Sequence, residues 1–239
     1  MFGFFGSRKS FIESGLLLGA VDSHSHILYG LDDGVKTVEE SLTILKFLEG
    51  VGLKTLWLTP HTMEDVPNTT EGIMKRFAEL KEAYKGPIKL NVASEYMIDN
   101  NFHHHLDRRD LLLHGQDRVL VETSTVFPPI DFWEVLGEMM KAGYRPLIAH
   151  PERYVYLGMN DYSRLHDMGC LFQLNLPSIV GVYGQEVHDK ALALIEKGWY
   201  CMAGSDCHRY HAAKMQCEAK ILKSDTIKKL QSLLHPEED

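Results

Sequence analysis

The sequence predicts an α/β fold built around a parallel sheet, closed as a barrel or open and doubly wound. Three observations predict it. Short apolar runs recur along all 239 residues. They are too short for helices and mostly unbroken, as strands buried on both faces require. Segments with apolar residues three and four apart lie between them. No Gly-x-Gly-x-x-Gly follows the first run, which weighs against the nucleotide-binding form of the open sheet.

In chain order, the first strand ends at Val21-Asp22 after a run that begins near Leu16. Residues 53–59, 88–95, 118–122, 146–150, 171–175 and 200–206 follow as strands. Residues 38–51 form a helix with Val38, Leu42, Leu45 and Leu48 on one face, stopped by Gly50 and Gly52. Thr37 with Glu40 three positions on suits a capping box at its start. Residues 73–84, 132–142, 187–197 and 226–234 repeat the helical pattern. Residues 97–116, with the triplet His103, His104 and His105, break the rhythm and read as an inserted loop or short helix. Three consecutive imidazoles point in different directions, so this triplet reads as solvated rather than ligating. Residues 1–15 read as a flexible or docking N-terminal tail, with a weak membrane-surface or partner anchor as the sharper reading. Phe2, Phe4 and Phe5 precede Arg8 and Lys9, the reverse of a secretory signal. With no internal repeat or low-complexity linker, residues 16–239 read as one domain.

Apolar content of 44% and charged content of 24% are ordinary for a globular protein. A formal charge of −8 weighs against a nucleic-acid surface. No apolar run approaches the roughly 18 residues of a spanning helix. The cysteines, 170, 201, 207 and 217, form no Cys-x-x-Cys pair and read as reduced cytosolic thiols. A cysteine-based tyrosine phosphatase needs a thiolate six positions before an arginine. Here those positions hold Leu176, Cys207, Ala213 and Lys223, so that chemistry is excluded.

The informative pattern is positional. The first run ends in Asp22, His24 and His26, the second in His61, the third in Glu95, the fourth in Glu122, the fifth in His150, and the last in Asp206 and His208. In parallel α/β folds the carboxyl ends of strands share one face, where active sites are built. One such residue alone reads as a cap or a surface group; six strand ends together do not. Imidazole and carboxylate without thiolate select manganese, iron or zinc. The donors exceed what one catalytic ion uses, so two or three ions are expected.

These residues carry a resemblance. Asp22-Ser23-His24-Ser25-His26, Asp32-Asp33-Gly34, Thr59-Pro60-His61, Ser94-Glu95-Tyr96, Val121-Glu122-Thr123, His150-Pro151-Glu152-Arg153 and Gly204-Ser205-Asp206-Cys207-His208 stand in order over about residues 20–235. The set resembles the PHP (polymerase and histidinol phosphatase) superfamily, and within it the metal-dependent tyrosine phosphatases of bacterial capsule and exopolysaccharide loci, the CpsB/CapC type. The resemblance implies a distorted (β/α)7 TIM-like barrel with its site at the carboxyl ends of the strands. It implies one ion on His24, His26, Glu95 and Asp206, a second on Glu95, Glu122 and His150, and a third on Asp33, His61 and His208. Asp22 is then expected to orient a histidine rather than bind metal. Asp33, where many superfamily members carry histidine, favours the capsule branch.

Four carboxylates against three divalent ions leave a cationic pocket suited to phosphate. A metal-bridging water or hydroxide, with no protein nucleophile, is expected to attack phosphorus in line. Arg153 is expected to fork onto the phosphoryl group, with a loop-closing salt bridge, Glu152 being one candidate partner, as its bland alternative; Arg209 is a weaker candidate for the same task. Tyr29, Tyr96, Phe127, Tyr154 and Tyr210 are candidates for stacking on a tyrosine ring. Manganese is the expected metal, with iron and zinc as alternatives. The implied partner is the phosphotyrosine tail of a membrane-anchored tyrosine kinase, which places the protein in the cytoplasm, at the inner membrane face through that partner. A histidinol-phosphatase-like phosphomonoesterase and a non-catalytic metal-binding module remain the competing readings.

Overall fold

The computed structural model describes residues 8–236. Nine strand segments form: β1 (Val21–Asp22), β2 (Thr55–Leu58), β3 (His61–Thr62), β4 (Lys89–Val92), β5 (Glu95–Met97), β6 (Arg118–Glu122), β7 (Arg145–Ala149), β8 (Leu171–Asn175) and β9 (Tyr200–Gly204). Every pairing between them is parallel, in the orders β1-β2-β4 and β3-β5-β6-β7-β8-β9.

Two expected strands are each split. Residues 53–59 and their continuation become β2 and β3, separated at Pro60, which has no N–H for the ladder. β4 and β5 part at Ala93 and Ser94. Pairing nevertheless runs through both gaps, because Ala93 N donates to Leu58 O at 3.0 Å and Glu95 N to Pro60 O at 3.1 Å. The nine segments are therefore seven staves. First and last also meet: Ser23 N donates to Ala203 O at 3.1 Å, Asp206 N to His24 O at 2.9 Å and His26 N to Cys207 O at 2.9 Å. The staves thus close into the distorted seven-stranded ring expected.

Side-chain parity sorts the core. Leu120, Leu147, Ala149 and Met202 form a small apolar cluster of their own, inside the ring. The intervening Val119, Val121 and Ile148 belong to the large cluster beneath the helices. The polar site sits above that inner apolar floor.

The helices are α1 (Phe11–Ser14), α2 (Val38–Gly50), α3 (Thr70–Ala83), α4 (Asn100–Arg108), α5 (Phe132–Lys141), α6 (Met159–Asp167), α7 (Leu176–Ile179), α8 (Gln185–Lys197), α9 (Tyr210–Glu218) and α10 (Ser224–Leu234). The Thr37–Glu40 capping box opens α2 as expected. Within the irregular segment the short-helix alternative forms as α4, started where Asp99 Oδ1 accepts from Phe102 N at 3.0 Å. Helices α6 and α9 were not expected from periodicity. α6 buries only Tyr162 and Leu165, and α9 only Ala213, Gln216 and Cys217. Of the anticipated tail, residues 9–15 dock. Lys9 and Leu222 exchange backbone hydrogen bonds at 3.0 and 2.9 Å, and Phe11 is buried. Phe2, Phe4 and Phe5 lie outside the described residues. No helix among the described residues is long and apolar enough to cross a membrane.

Candidate metal centre

Extended backbone places His24 and His26 on one side, and their Nε2 atoms stand 3.0 Å apart. Glu95, the first residue of β5, faces them across the ring. Its Oε2 lies 3.2 Å from His24 Nε2, 3.3 Å from His26 Nε2 and 3.1 Å from His61 Nδ1. Its Oε1 lies 3.0 Å from His150 Nε2. Asp206 Oδ1 is 3.3 Å from His26 Nε2, and Glu122 Oε1 is 2.9 Å from His61 Nδ1. Asp33 Oδ1 reaches His208 Nε2 at 3.2 Å and His61 Nε2 at 3.6 Å. All nine expected ligands therefore converge at the carboxyl ends of the staves.

Three sets of donor atoms lie close enough to share an ion: His24, His26 and Asp206; His61, Glu95 and Glu122; and His26, Asp33, His61 and His208. The first recurs from the expected partition, with Glu95 beside it. The other two divide differently: His61 stands with Glu95 and Glu122 where His150 was expected, and His26 joins Asp33, His61 and His208.

Two ligand positions are held by unusual backbone. His150 has φ 37° and Asp206 φ 50°, two of three non-glycine residues with positive φ among those described. Such strain persists only where surrounding structure over-determines it. At His150 it turns the chain into the short 3₁₀ turn Pro151–Arg153, which carries Arg153 over the site.

The carboxylate that orients a histidine ring is Asp32, not Asp22. Asp32 Oδ2 accepts from His26 Nδ1 at 2.7 Å and from His61 N at 3.0 Å, and its Oδ1 accepts from Gly34 N at 2.8 Å. Asp22 Oδ1 instead accepts from the backbone N–H groups of His24 (3.2 Å) and Ser205 (2.8 Å), tying two ligand loops together. Burial pushes the Asp32 carboxyl up, but the His26 ring and the backbone donors outweigh it and hold the pKa at about 2. Sequence reading quoted Asp32 inside the Asp-Asp-Gly motif without giving it this task. It also missed Gln173 Oε1, 2.6 Å from His24 Nδ1, and Asn175 Nδ2, which donates to Asp206 Oδ2 at 3.0 Å. Their signal was a polar residue at alternate positions of an otherwise apolar strand.

The donors fit divalent ions. Burial raises the Glu95 pKa, yet the positive His24 and His61 outweigh it and hold Glu95 well below the ordinary range. Conversely burial lowers His61, and the Glu95 charge overcomes this and lifts it to about 10. The pocket thus demands positive charge. Moreover Glu95 Oε2 and Glu122 Oε1 both crowd His61 Nδ1, at 3.1 and 2.9 Å, yet all three buried atoms lack a well-aligned hydrogen bond. Orphaned polar atoms cost about 1–3 kcal/mol each, and a cation among them removes that cost. The thiols offer no alternative: burial pushes Cys170, Cys207 and Cys217 up to about 12 and Cys201 to about 11.

A cleft of about 480 Å³ opens on this cluster, lined by Asp33, His61, Glu122, His150, Arg153, Tyr183, Asp206, His208 and Arg209 among others. Arg153 does not pair with Glu152, which is buried and accepts from Tyr200 Oη at 2.8 Å. Its Nη1 donates to Asp206 Oδ2 at 2.9 Å, and its guanidinium lies 4.5 Å from the Tyr183 ring centroid. Arg209 Nη1 donates to the carbonyls of Gly34 and His208, so it clamps the Asp33 loop to the His208 loop at the cleft edge. Of the aromatics anticipated here, none lines the cleft; Tyr183 does. Tyr96 and Tyr154 are buried, and Tyr210 packs edge-on against Phe47. A larger cavity, about 810 Å³, opens at the other end among the strand starts. Its lining holds no carboxylate among the described residues, so it offers no comparable donor set.

Comparison with known proteins adds the following. The family model described as capsular polysaccharide synthesis, CpsB/CapC, matches residues 20–235. Tyrosine-protein phosphatase YwqE of Bacillus subtilis is 27% identical over 195 residues, 79% of this chain and 77% of its own. Tyrosine-protein phosphatase CpsB of Streptococcus agalactiae is 30% identical over 168 residues, 67% of this chain and 69% of its own. Among solved structures, crystal structures of YwqE from Bacillus subtilis and CpsB from Streptococcus pneumoniae, described as unique metal-dependent tyrosine phosphatases, include a match with TM-score 0.72. That match is 21% identical and covers 90% of this chain and 95% of the other, a likeness of fold.

Proposed function

The chain belongs to the CpsB/CapC family of capsular polysaccharide synthesis, and from that premise we propose that it is a metal-dependent phosphotyrosine-protein phosphatase. The observation that carries the reading is the convergence of nine imidazole and carboxylate donors at and beneath one cleft, eight of them in sets close enough to share an ion. The named relatives, themselves tyrosine-protein phosphatases, support the substrate.

His24, His26, Asp33, His61, Glu95, Glu122, His150, Asp206 and His208 would hold two or three divalent ions, manganese first, with iron and zinc compatible with the same donors. When bound, such ions supply Lewis acidity and an activated water at neutral pH. The chain's own residues supply the rest. Arg153, anchored through one nitrogen on Asp206, keeps further N–H donors for phosphoryl oxygens. Tyr183 supports the guanidinium and offers its ring edge to an aromatic substrate. Arg209 holds the Asp33 and His208 loops in register. The departing phenolate has a pKa near 10, so a strong proton donor is less necessary than for an alkyl phosphate.

The physiological substrate on this reading is the phosphotyrosine tail of a membrane-anchored bacterial tyrosine kinase, met at the cytoplasmic face of the membrane. Turnover of phosphotyrosyl peptide against histidinol phosphate, by the full chain loaded with Mn²⁺, tests the proposal. Peptide turnover is expected. Negligible peptide hydrolysis beside brisk hydrolysis of histidinol phosphate would replace it with a small-molecule phosphomonoesterase.

A further inference from the structure

Gln173 stands in the middle of β8 with 1% of its surface exposed. A buried amide must place two donor hydrogens and one acceptor oxygen. Both hydrogens are engaged by one residue: Nε2 donates to Ser23 O at 3.1 Å and to Ser23 Oγ at 3.0 Å. Neither bond can be reversed. A carbonyl only accepts, and the Ser23 hydroxyl already gives its own hydrogen to Ala203 O at 2.7 Å. The second lone pair of the Ser23 carbonyl takes the Nε2–H of His114 at 2.9 Å, whose ring is stacked 3.9 Å from that of Trp57. The orientation of the amide is therefore dictated by hydrogen-bond logic.

Gln173 Oε1 must then be the acceptor in its 2.6 Å contact with His24 Nδ1, so His24 carries its proton on Nδ1. Its Nε2 is then the ring nitrogen left to meet an ion, and it points at His26 Nε2, Glu95 and Asp206. The companion ring is treated differently. His26 Nδ1 donates to the Asp32 carboxylate at 2.7 Å, and a carboxylate behind an imidazole strengthens it as a donor more than a neutral amide does.

We infer that Gln173 is a positioning residue: it locks His24 in the Nδ1-protonated tautomer and, being neutral, makes His24 the weaker donor of the His24–His26 pair. The inference rests on the metal-centre reading above. It assigns to an amide in β8 the orientation of one imidazole of the His24, His26 and Asp206 set.

Two measurements on the full chain test it. In calorimetric titration of Mn²⁺ into chelator-stripped protein, Gln173→Met keeps the side-chain length and removes the acceptor. One binding equivalent should weaken by roughly 10- to 100-fold, with the others unmoved. Unchanged affinity at every equivalent overturns the inference. The unsubstituted ¹⁵N-labelled protein loaded with diamagnetic Zn²⁺ needs no variant to fold. Its long-range ¹H–¹⁵N spectrum should show His24 with a proton on Nδ1 and none on Nε2; the opposite tautomer overturns the assignment. If the unsubstituted chain takes up no divalent ion, the metal-centre reading itself fails. Normal uptake with an indifferent Gln173→Met fails the Gln173 inference alone.

Discussion

Asp32 and Asp33 are neighbours with separate tasks. Asp33 is exposed at the cleft and faces His61 and His208, whereas the Asp32 side chain is fully buried and grips His26. Asp32→Asn should weaken metal binding by roughly 10- to 100-fold, read by titration of the stripped protein. An unaltered binding isotherm would show that the His26 ring needs no carboxylate behind it. Arg153→Ala should leave metal content intact while turnover falls by roughly 10²–10³, the scale of removing one transition-state donor. Full turnover would remove Arg153 from phosphate binding. At this scale most ligands were legible because strand parity fixes which way a side chain points and they stand near the strand ends, whereas Asp33, eleven residues beyond β1, came only through the resemblance. The exchange of roles between Asp22 and Asp32 was not legible. It depends on the 32–34 loop folding back until Gly34 touches His26, a tertiary contact with no spacing signature. Tyr183 was missed for the same reason, since it stands in a loop between Gly181 and Gly184 that carries no periodicity.

The elements explain how tightly the first and last staves must meet. A Cβ at Gly204, the last residue of β9, would lie 2.3 Å from His24 Cβ and 2.9 Å from His24 N. Gly204→Ala should therefore destabilise by about 1–3 kcal/mol through overpacking and cut bound metal, measured by thermal unfolding and elemental analysis. Gly137, inside α5, has nothing within 4 Å of the same added atom. Gly137→Ala should stabilise by about 0.5–1 kcal/mol, from helix propensity alone, with metal content unchanged. Equal effects at the two sites would contradict the close approach of β9 to the His24 strand. The helices read most clearly, α2 and α8 among them, bury regular stripes. Helix α6 buries only Tyr162 and Leu165, and the buried face of α9 includes the polar Gln216 beside Ala213 and Cys217, so their apolar periodicity is faint.

For the whole molecule, one architecture accounts for both fold and site. Seven staves close over an apolar floor of Leu120, Leu147, Ala149 and Met202, and the same inward-facing parity then presents Glu122, Gln173 and their neighbours at the open end. An acidic chain of formal charge −8 thereby builds a pocket that calls for cations and, once they are bound, for phosphate. The ring closure was beyond periodicity, because β1 is two residues long and its continuation forms an isolated bridge, Ser25 to Cys207, rather than a regular strand. Family resemblance supplied it, and the backbone hydrogen bonds between residues 23–26 and 203–207 bear it out. The central claim is that this cluster, loaded with divalent ions, hydrolyses phosphotyrosine. Its most direct test is phosphate release from a phosphotyrosyl peptide by the purified chain, with metal content measured on the same sample before chelation, after it, and after Mn²⁺ is restored. Turnover should fall to background when the metal is gone and return with it; undiminished turnover by verified metal-free protein would contradict the account.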